Sequence, residues 1–370
     1  MQPIRLAVIS TSRSDFGLLE PVVRRAMNDE RFNAALLVCG HHLVAGTPLA
    51  EEVAGLPVER IPAGEGTIDH IGQAALCEAL ERSRTEVAIL LGDRFELLSV
   101  AECCTFARVP IGHCSGGERT LGAFDDQIRD AVTRLAQLHF VSHEPAAERL
   151  RSLGEEPWRI SVTGDPGLDS LLAESRMTPR DLAGRVGIEP TRQDIVVALH
   201  PVTRSVEETT FFLDSLTAFC REFEGHSFLS SPNGDPGSEE ILERWRELAA
   251  ANERCKVLPS LGARGFRGLV AACGALAGNS SSGIWEAPSL GTPSLDLGTR
   301  QLGRVRGESV TTCAAGDAAG VGQAIRELLS EAGQRRARIA PNPYGDGSAA
   351  PRILNHVAEY ARDRRLTVKA

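Results

Sequence analysis

The chain has 370 residues, 42% of them hydrophobic and 24% charged, with a formal net charge of -9 and a pI near 5.6. At roughly 100–200 residues per domain, that length points to two domains, and the composition is that of an ordinary globular protein. The acidic balance argues against a nucleic-acid partner, which would need a basic face, and no run of about 18 apolar residues offers a membrane span. The opening Met1-Gln2-Pro3-Ile4-Arg5-Leu6 runs straight into a strand-like segment without the apolar stretch of a signal peptide. Nine cysteines are present, Cys103 and Cys104 adjacent and the rest scattered. An odd count without a framework fits reduced thiols and a cytoplasmic setting, with no disulfide and no metal site expected.

In chain order, β-branched runs predict strands at 6–10, 35–39, 87–91, 110–113, 139–141 and 159–162, with helices such as 17–27 and 71–83 between them. The runs are almost wholly apolar, which suits parallel strands buried on both faces. The polar stretch 166–192, with Pro179, Gly184, Gly187 and Pro190, reads as a linker. Strands resume at 195–199, 227–230, 255–258, 275–277 and 294–297, with helices at 207–222 and 238–252. A last helix at 350–364 follows the Pro- and Gly-rich 341–347. The expected class is therefore α/β, with two Rossmann-like domains facing each other across a cleft. Their bounds are 1–170 and 186–345, and helix 350–364 is expected to pack back on the first domain.

Chemistry-bearing residues fall at the carboxyl ends of these strands, where open α/β sheets bind ligands. Ser10-Thr11-Ser12-Arg13-Ser14-Asp15 opens a helix, and helix N-termini attract phosphate. The plainer reading there is a helix cap. Asp93 follows the third predicted strand, as a catalytic carboxylate or as an N-cap. Ser115-Gly116-Gly117-Glu118 and then Asp125-Asp126 follow the fourth. Several carboxylates in one pocket push their pKa values apart, so one site can hold both an acid and a base. His200 ends a strand of the second half, as a proton shuttle, a phosphate donor or a satisfied structural histidine. Gly278-Asn279-Ser280-Ser281-Ser282-Gly283-Ile284-Trp285-Glu286 is rich in N–H and O–H donors at a helix start. Phosphate binding by Ser280, Ser281, Ser282 and Gly283 is the favoured reading, with Glu286 placed to accept ribose hydroxyls. Arg300, in Gly298-Thr299-Arg300-Gln301, adds a forked cation.

As a set, TSRSDFGLL, LGDRFELL, HCSGGE, FDDQIRDAVTRLAQLHFVS, HPVT, GNSSSGIWEAP and GTRQLGR resemble the hydrolysing UDP-N-acetylglucosamine 2-epimerases of the sialic acid pathway, in family order from Ser10 to Arg304. The resemblance implies a two-domain fold like the GT-B glycosyltransferases, with no cofactor. It implies hydrolysis of UDP-N-acetylglucosamine to UDP and N-acetylmannosamine through a 2-acetamidoglucal. Carried over, Arg13, Ser280, Ser281 and Arg300 would hold the diphosphate, Glu286 the ribose, and Phe266, with Leu261 nearby, the base. Asp93, Asp125 and His200 would serve the sugar and its proton transfers, and Glu118 would stand in where some relatives carry a carboxylate at the position of Ser115. The family also includes enzymes acting on UDP- or GDP-linked 2,4-diacetamido-2,4,6-trideoxyhexoses, the alternative substrate. The implied partners are a nucleotide sugar and a second or further copies of the chain, as a homodimer or homotetramer. A GT-B glycosyltransferase and a catalytically silent nucleotide-sugar sensor are the rival classes; the first would need an acceptor surface and the second would not need Asp93, Glu118 and Asp125.

Overall fold

A computed structural model describes residues 2–43, 53, 55–63, 71–121, 125–202 and 204–367; Met1, Phe124 and Thr203 of the sequence segments above lie outside them. The chain divides into two compact units, Met1–Ala173 with Tyr344–Ala370, and Glu174–Pro343.

The first unit is built on seven strands: β1 (Ile4–Ser10), β2 (Phe32–Val38), β3 (Val58–Arg60), β4 (Val87–Leu91), β5 (Ile111–Cys114), β6 (Leu138–Val141) and β7 (Ile160–Val162). Their order is β3-β2-β1-β4-β5-β6-β7, and every pairing is parallel. All five residues of β4 are buried. Side chains alternate across a strand, so one apolar run feeds two cores. Leu6, Val8, Val87, Ile89 and Leu91 enter one core, while Ala7, Ile9, Ala88 and Leu90 enter the other. Helix Ala349–Tyr360 covers the first face with Ile353, Leu354 and Val357. Asp169 accepts hydrogen bonds from its Ala349 and Ala350 N–H groups at 2.9 and 2.8 Å, satisfying two otherwise orphaned donors.

The second unit carries β8 (Ile195–Ala198), β9 (Ser227–Leu229), β10 (Cys255–Val257), β11 (Ala275–Gly278), β12 (Ser294–Leu297) and β13 (Val310–Cys313). Its order is β10-β9-β8-β11-β12-β13, again all parallel. Both units are α/β and both have the strand reversal of a doubly wound sheet, at β1/β4 and at β8/β11. No described helix is long and apolar enough to cross a membrane.

Three sequence expectations are refined. The stretch 166–192 contains the division between the two units, at Ala173 and Glu174, and much of it is helical, Gly167–Ala173 and Pro179–Val186, with Leu168, Leu171, Leu182 and Val186 buried. Pro179 sits where a helix tolerates it, after a Thr178–Asp181 capping box, and Gly187 ends the helix in the left-handed region, so residues read as breakers are helix punctuation. The helix expected at 17–27 starts at Arg13, because Ser12 caps it by accepting from the Asp15 N–H. Edge strands β3 and β13 escaped detection: they are short and half-exposed, so they lack an apolar run.

Two glycines test this packing. A Cβ on Gly278 (φ +148°) would lie 2.0 Å from the Ala198 carbonyl oxygen of the neighbouring strand, whereas one on Gly184 would meet nothing within 4 Å. Gly278→Ala is therefore expected to destabilise by about 3 kcal/mol or more through clash and strain. Gly184→Ala, inside a helix, should be neutral or stabilise by up to about 1 kcal/mol. Thermal melts of the two variants beside the parent chain check the contrast.

Candidate active site

In the first unit the loops after β4 and β5 are tied together by one buried side chain. Asp93 does not cap the following helix, Glu96–Phe106, whose N-cap position is Phe95 without a side-chain bond. Its Oδ2 instead accepts from Nη2 of Arg129, a residue only 3% exposed, on helix Asp125–Leu135. Arg129 also donates to Asp126 Oδ1, to the Glu118 carbonyl at 2.8 Å and to Thr120 Oγ1 at 3.2 Å. Burial works against its charge, but Asp93, Glu118 and Asp126 outweigh it and hold the guanidinium above its ordinary pKa. Arg129 was not singled out in the sequence; its spacing of three from Asp126, the ion-pair spacing of a helix, was the available signal.

Asp126 joins this network, and its Oδ1 also accepts from the Thr120 N–H at 2.8 Å. Asp125 opens the helix and is half-buried. The Glu118 carboxylate accepts from Ser142 Oγ at 2.5 Å, while its carbonyl takes Arg129 and, at 3.3 Å, Arg149. The turn leading to it is tight. Ser115 has φ +64° and Gly117 φ +77°, and a Cβ on Gly117 would lie 2.6 Å from the Ala146 carbonyl oxygen. Gly117 is thus required for close approach of backbone to backbone.

At the end of β1 the hydroxyls serve nearby groups: Ser10 Oγ donates to the Ser12 carbonyl at 3.1 Å and lies 2.8 Å from His42 Nε2, and Thr11 Oγ1 donates to the Asp15 carboxylate at 2.8 Å. Arg13 is exposed in the first turn of the helix.

In the second unit Asn279, fully buried, joins three strand ends. Its Oδ1 accepts from the His200 N–H at 2.7 Å and its Nδ2 donates to the His200 carbonyl at 2.8 Å. Its own carbonyl accepts from Arg300 Nη1 at 3.2 Å and from Gln301 Nε2 at 2.9 Å. The structure thereby brings His200, Ser280 and Arg300 to one place. His200 Nδ1 accepts from the Asn233 N–H at 3.0 Å, so the ring proton resides on Nε2. Burial, then the Arg300 charge, pushes the ring pKa down to about 4. Near neutral pH the ring is an uncharged hydrogen-bond donor, a better match to the phosphate-donor reading than to a proton shuttle. Burial also lowers the pKa of Arg300, with Asp235 opposing and Arg304 adding to the shift.

Ser280, Ser281 and Ser282 are half-buried at the start of a single helical turn, Ser282–Trp285, with Gly283 buried behind them. Glu286 closes that turn, and its Oε1 accepts from Arg267 Nε at 2.7 Å. Arg267, a second residue missed in the sequence, reaches Glu174 at 3.2 Å as well. It shares helix Gly262–Ala272 with the half-buried Phe266, and Leu261 is buried just before it. One cation, one neutral ring donor and three hydroxyls form a place for an anion. Among the described residues no group of three or more His, Cys, Asp and Glu could hold a metal ion.

The model of the family described as UDP-N-acetylglucosamine 2-epimerase matches residues 27–358. A GDP/UDP-N,N'-diacetylbacillosamine 2-epimerase (hydrolyzing) of Campylobacter jejuni is 28% identical over 344 residues, covering 90% of this chain and 89% of that protein. A UDP-N,N'-diacetylbacillosamine 2-epimerase (hydrolyzing) of Legionella pneumophila is 29% identical over 360 residues, 94% of each chain. Among solved structures, the UDP-GlcNAc 2-epimerase from Methanocaldococcus jannaschii superposes with a TM-score of 0.77 at 18% identity, over 96% of this chain and all of that one, and so shares the fold. With the match running through both units, the chain belongs to the UDP-N-acetylglucosamine 2-epimerase family.

Proposed function

We propose that the chain is a hydrolysing 2-epimerase of a UDP- or GDP-linked 2,4-diacetamido-2,4,6-trideoxyhexose. The observation that carries the sugar is the near full-length similarity to two hydrolysing diacetylbacillosamine 2-epimerases. It moves the substrate away from UDP-N-acetylglucosamine, the first expectation from sequence, which stays as the second reading because the family model bears that sugar's name.

In this proposal the second unit holds the nucleotide. Arg300, the serine hydroxyls and the neutral His200 ring meet the diphosphate, each charge-assisted bond contributing about 1.5–3 kcal/mol. Glu286 has one oxygen engaged by Arg267, which leaves Oε2 for a ribose hydroxyl. Phe266 lies against the base. The first unit supplies carboxylates for the sugar. The C2–H bond breaks to a carboxylate, its electron pair forms the C1=C2 bond, and the C1–O bond breaks with release of nucleoside diphosphate. Water then adds, its hydroxyl to C1 and a proton to C2 on the opposite face. The C2 proton is only weakly acidic, so stabilising the departing diphosphate is the large catalytic contribution. Glu118, held by Ser142 rather than paired to Arg129 through its carboxylate, is the best-placed proton acceptor; Asp93 and Asp125 complete the acid–base set.

Incubation with the UDP- and GDP-linked diacetamido sugars in deuterated water, followed by proton NMR, tests the reading. The expected product is free C2-inverted sugar carrying deuterium at C2. Turnover of UDP-N-acetylglucosamine alone would install the second reading, and release that requires an acceptor would indicate a transferase. Asp93→Asn, Glu118→Gln and Asp125→Asn should each lower kcat at least ~100-fold with nucleotide affinity within about threefold, in steady-state kinetics and calorimetry. Arg300→Ala should weaken UDP binding by roughly 10- to 100-fold.

The His200 pKa gives a pH prediction. The native ring protonates near 4, whereas an unfolded one protonates near 6.5. This group's contribution to stability is present above pH 6.5 and is lost as pH falls toward 4. Denaturant titrations along this range should show that loss, reduced in His200→Gln. UDP affinity should show no His200 titration between about pH 5.5 and 8.

A further inference from the structure

Two thiols outside the carboxylate and serine clusters meet across neighbouring helices. Cys77 lies on helix Gln73–Arg82 and Cys103 on helix Glu96–Phe106. Cys77 Sγ donates to the Cys103 carbonyl at 3.9 Å, and Cys103 Sγ donates at 3.5 Å to the carbonyl of Gln73, one turn before Cys77. The two thiols are also within hydrogen-bonding reach of each other. Beside them, Gln73 Nε2 donates to Glu102 Oε2 at 3.0 Å and ties the same two helices. A disulfide bond is about 2.0 Å long, and sulfurs already in contact across a fixed helix pair reach that length by small side-chain rotations.

Access divides the roles of the pair. All nine cysteines are free thiols; Cys77 and Cys313 are half-buried and the other seven are buried. Cys103 is 1% exposed, so a reagent arriving from solvent meets Cys77 first and reaches Cys103 only through it. Burial, then the hydrogen bond and charge of Cys77, raises the Cys103 thiol above its ordinary pKa. A thiol that gives up its proton reluctantly is a poor leaving group, so a disulfide ending at Cys103 opens slowly and is favoured over the dithiol once formed.

We propose that Cys77 and Cys103 are a reversible redox pair, oxidised by a small disulfide such as glutathione disulfide to a bond that staples helix Gln73–Arg82 to helix Glu96–Phe106. Cys77 loses its proton and attacks one sulfur of glutathione disulfide, forming a mixed disulfide and expelling one glutathione thiolate, which takes up that proton. Cys103 then loses its proton and attacks the Cys77 sulfur; the second glutathione leaves and is protonated in turn. Two electrons pass from the two cysteines to the glutathione disulfide, which ends as two thiols. The new bond closes the segment 77–103, which contains β4 and Asp93, and so restricts the unfolded chain. In a reducing compartment such a bond is transient, formed under oxidative load and opened by a dithiol reductant. The inference goes beyond the proposed reaction and does not depend on it.

The test treats the full folded chain with glutathione disulfide, blocks remaining thiols with an alkylating agent, digests without reduction and maps the products by tandem mass spectrometry. The expected product is a peptide pair joined through Cys77 and Cys103, returned to free thiols by dithiothreitol. Cys103→Ala should leave glutathione trapped on Cys77, and Cys77→Ala should leave Cys103 unmodified. A second readout needs no variant: the oxidised parent chain should melt about 5 °C above the reduced one, and dithiothreitol should abolish the difference. The proposal is overturned by a bond from Cys77 to Cys104, by glutathione held on Cys77 of the parent chain without the joined pair, by no reaction at Cys77, or by a joined form that melts no higher than the reduced one.

Discussion

All strands of both sheets run in parallel, and that single constraint places the chemistry. A parallel strand cannot be joined to its neighbour by a tight hairpin, so every strand hands over to a crossover. Every strand-to-helix loop of one sheet then emerges at the same edge. Asp93 after β4 and Glu118 after β5 become neighbours for this reason, although 25 positions separate them in the chain. The same rule brings His200 after β8 beside Asn279 after β11.

Gathering carboxylates at one edge creates an electrostatic problem that helix Asp125–Leu135 resolves. Arg129 enters the cluster from the side and offers a fixed fork to Asp93, Asp126, Thr120 and the Glu118 carbonyl. Removing one partner of such a buried pair leaves an uncompensated charge, so the network is costly to break. The second unit uses the same device for its loop after β12. Asp296 is 2% exposed and accepts from Arg306 Nη2 at 2.6 Å, which anchors the loop bearing Arg300. Burial raises the pKa of Asp296, and the bond and charge of Arg306 work against that rise.

Much of this was legible in the residues. The central strands announced themselves because burial on both faces demands unbroken apolar runs, as at β4 and β8. Of the edge strands, β3 and β13 did not, because VER and VTTC contain no apolar run. The motif residues were visible at strand ends, yet their partners were not. Asp93 is visible at a strand end, but its ion pair with Arg129, 36 positions away, is not, and it does not cap the helix that follows. Glu286 is visible as an acceptor for a ribose, but its partner Arg267, which takes one of its oxygens, is not. Helix boundaries moved where a side chain decided them, as Ser12 did for the helix starting at Arg13.

The sequence by itself determined the α/β class, the strand ends that carry function and the family resemblance, because these depend on local pattern and on residues close together in the chain. Tertiary structure alone decided that Asp93 and Asp126 share Arg129, which nitrogen of His200 carries the proton, and that Arg267 engages Glu286. Those outcomes depend on partners that only folding brings within about 3 Å, the distance at which hydrogen bonds and charge pairing take effect.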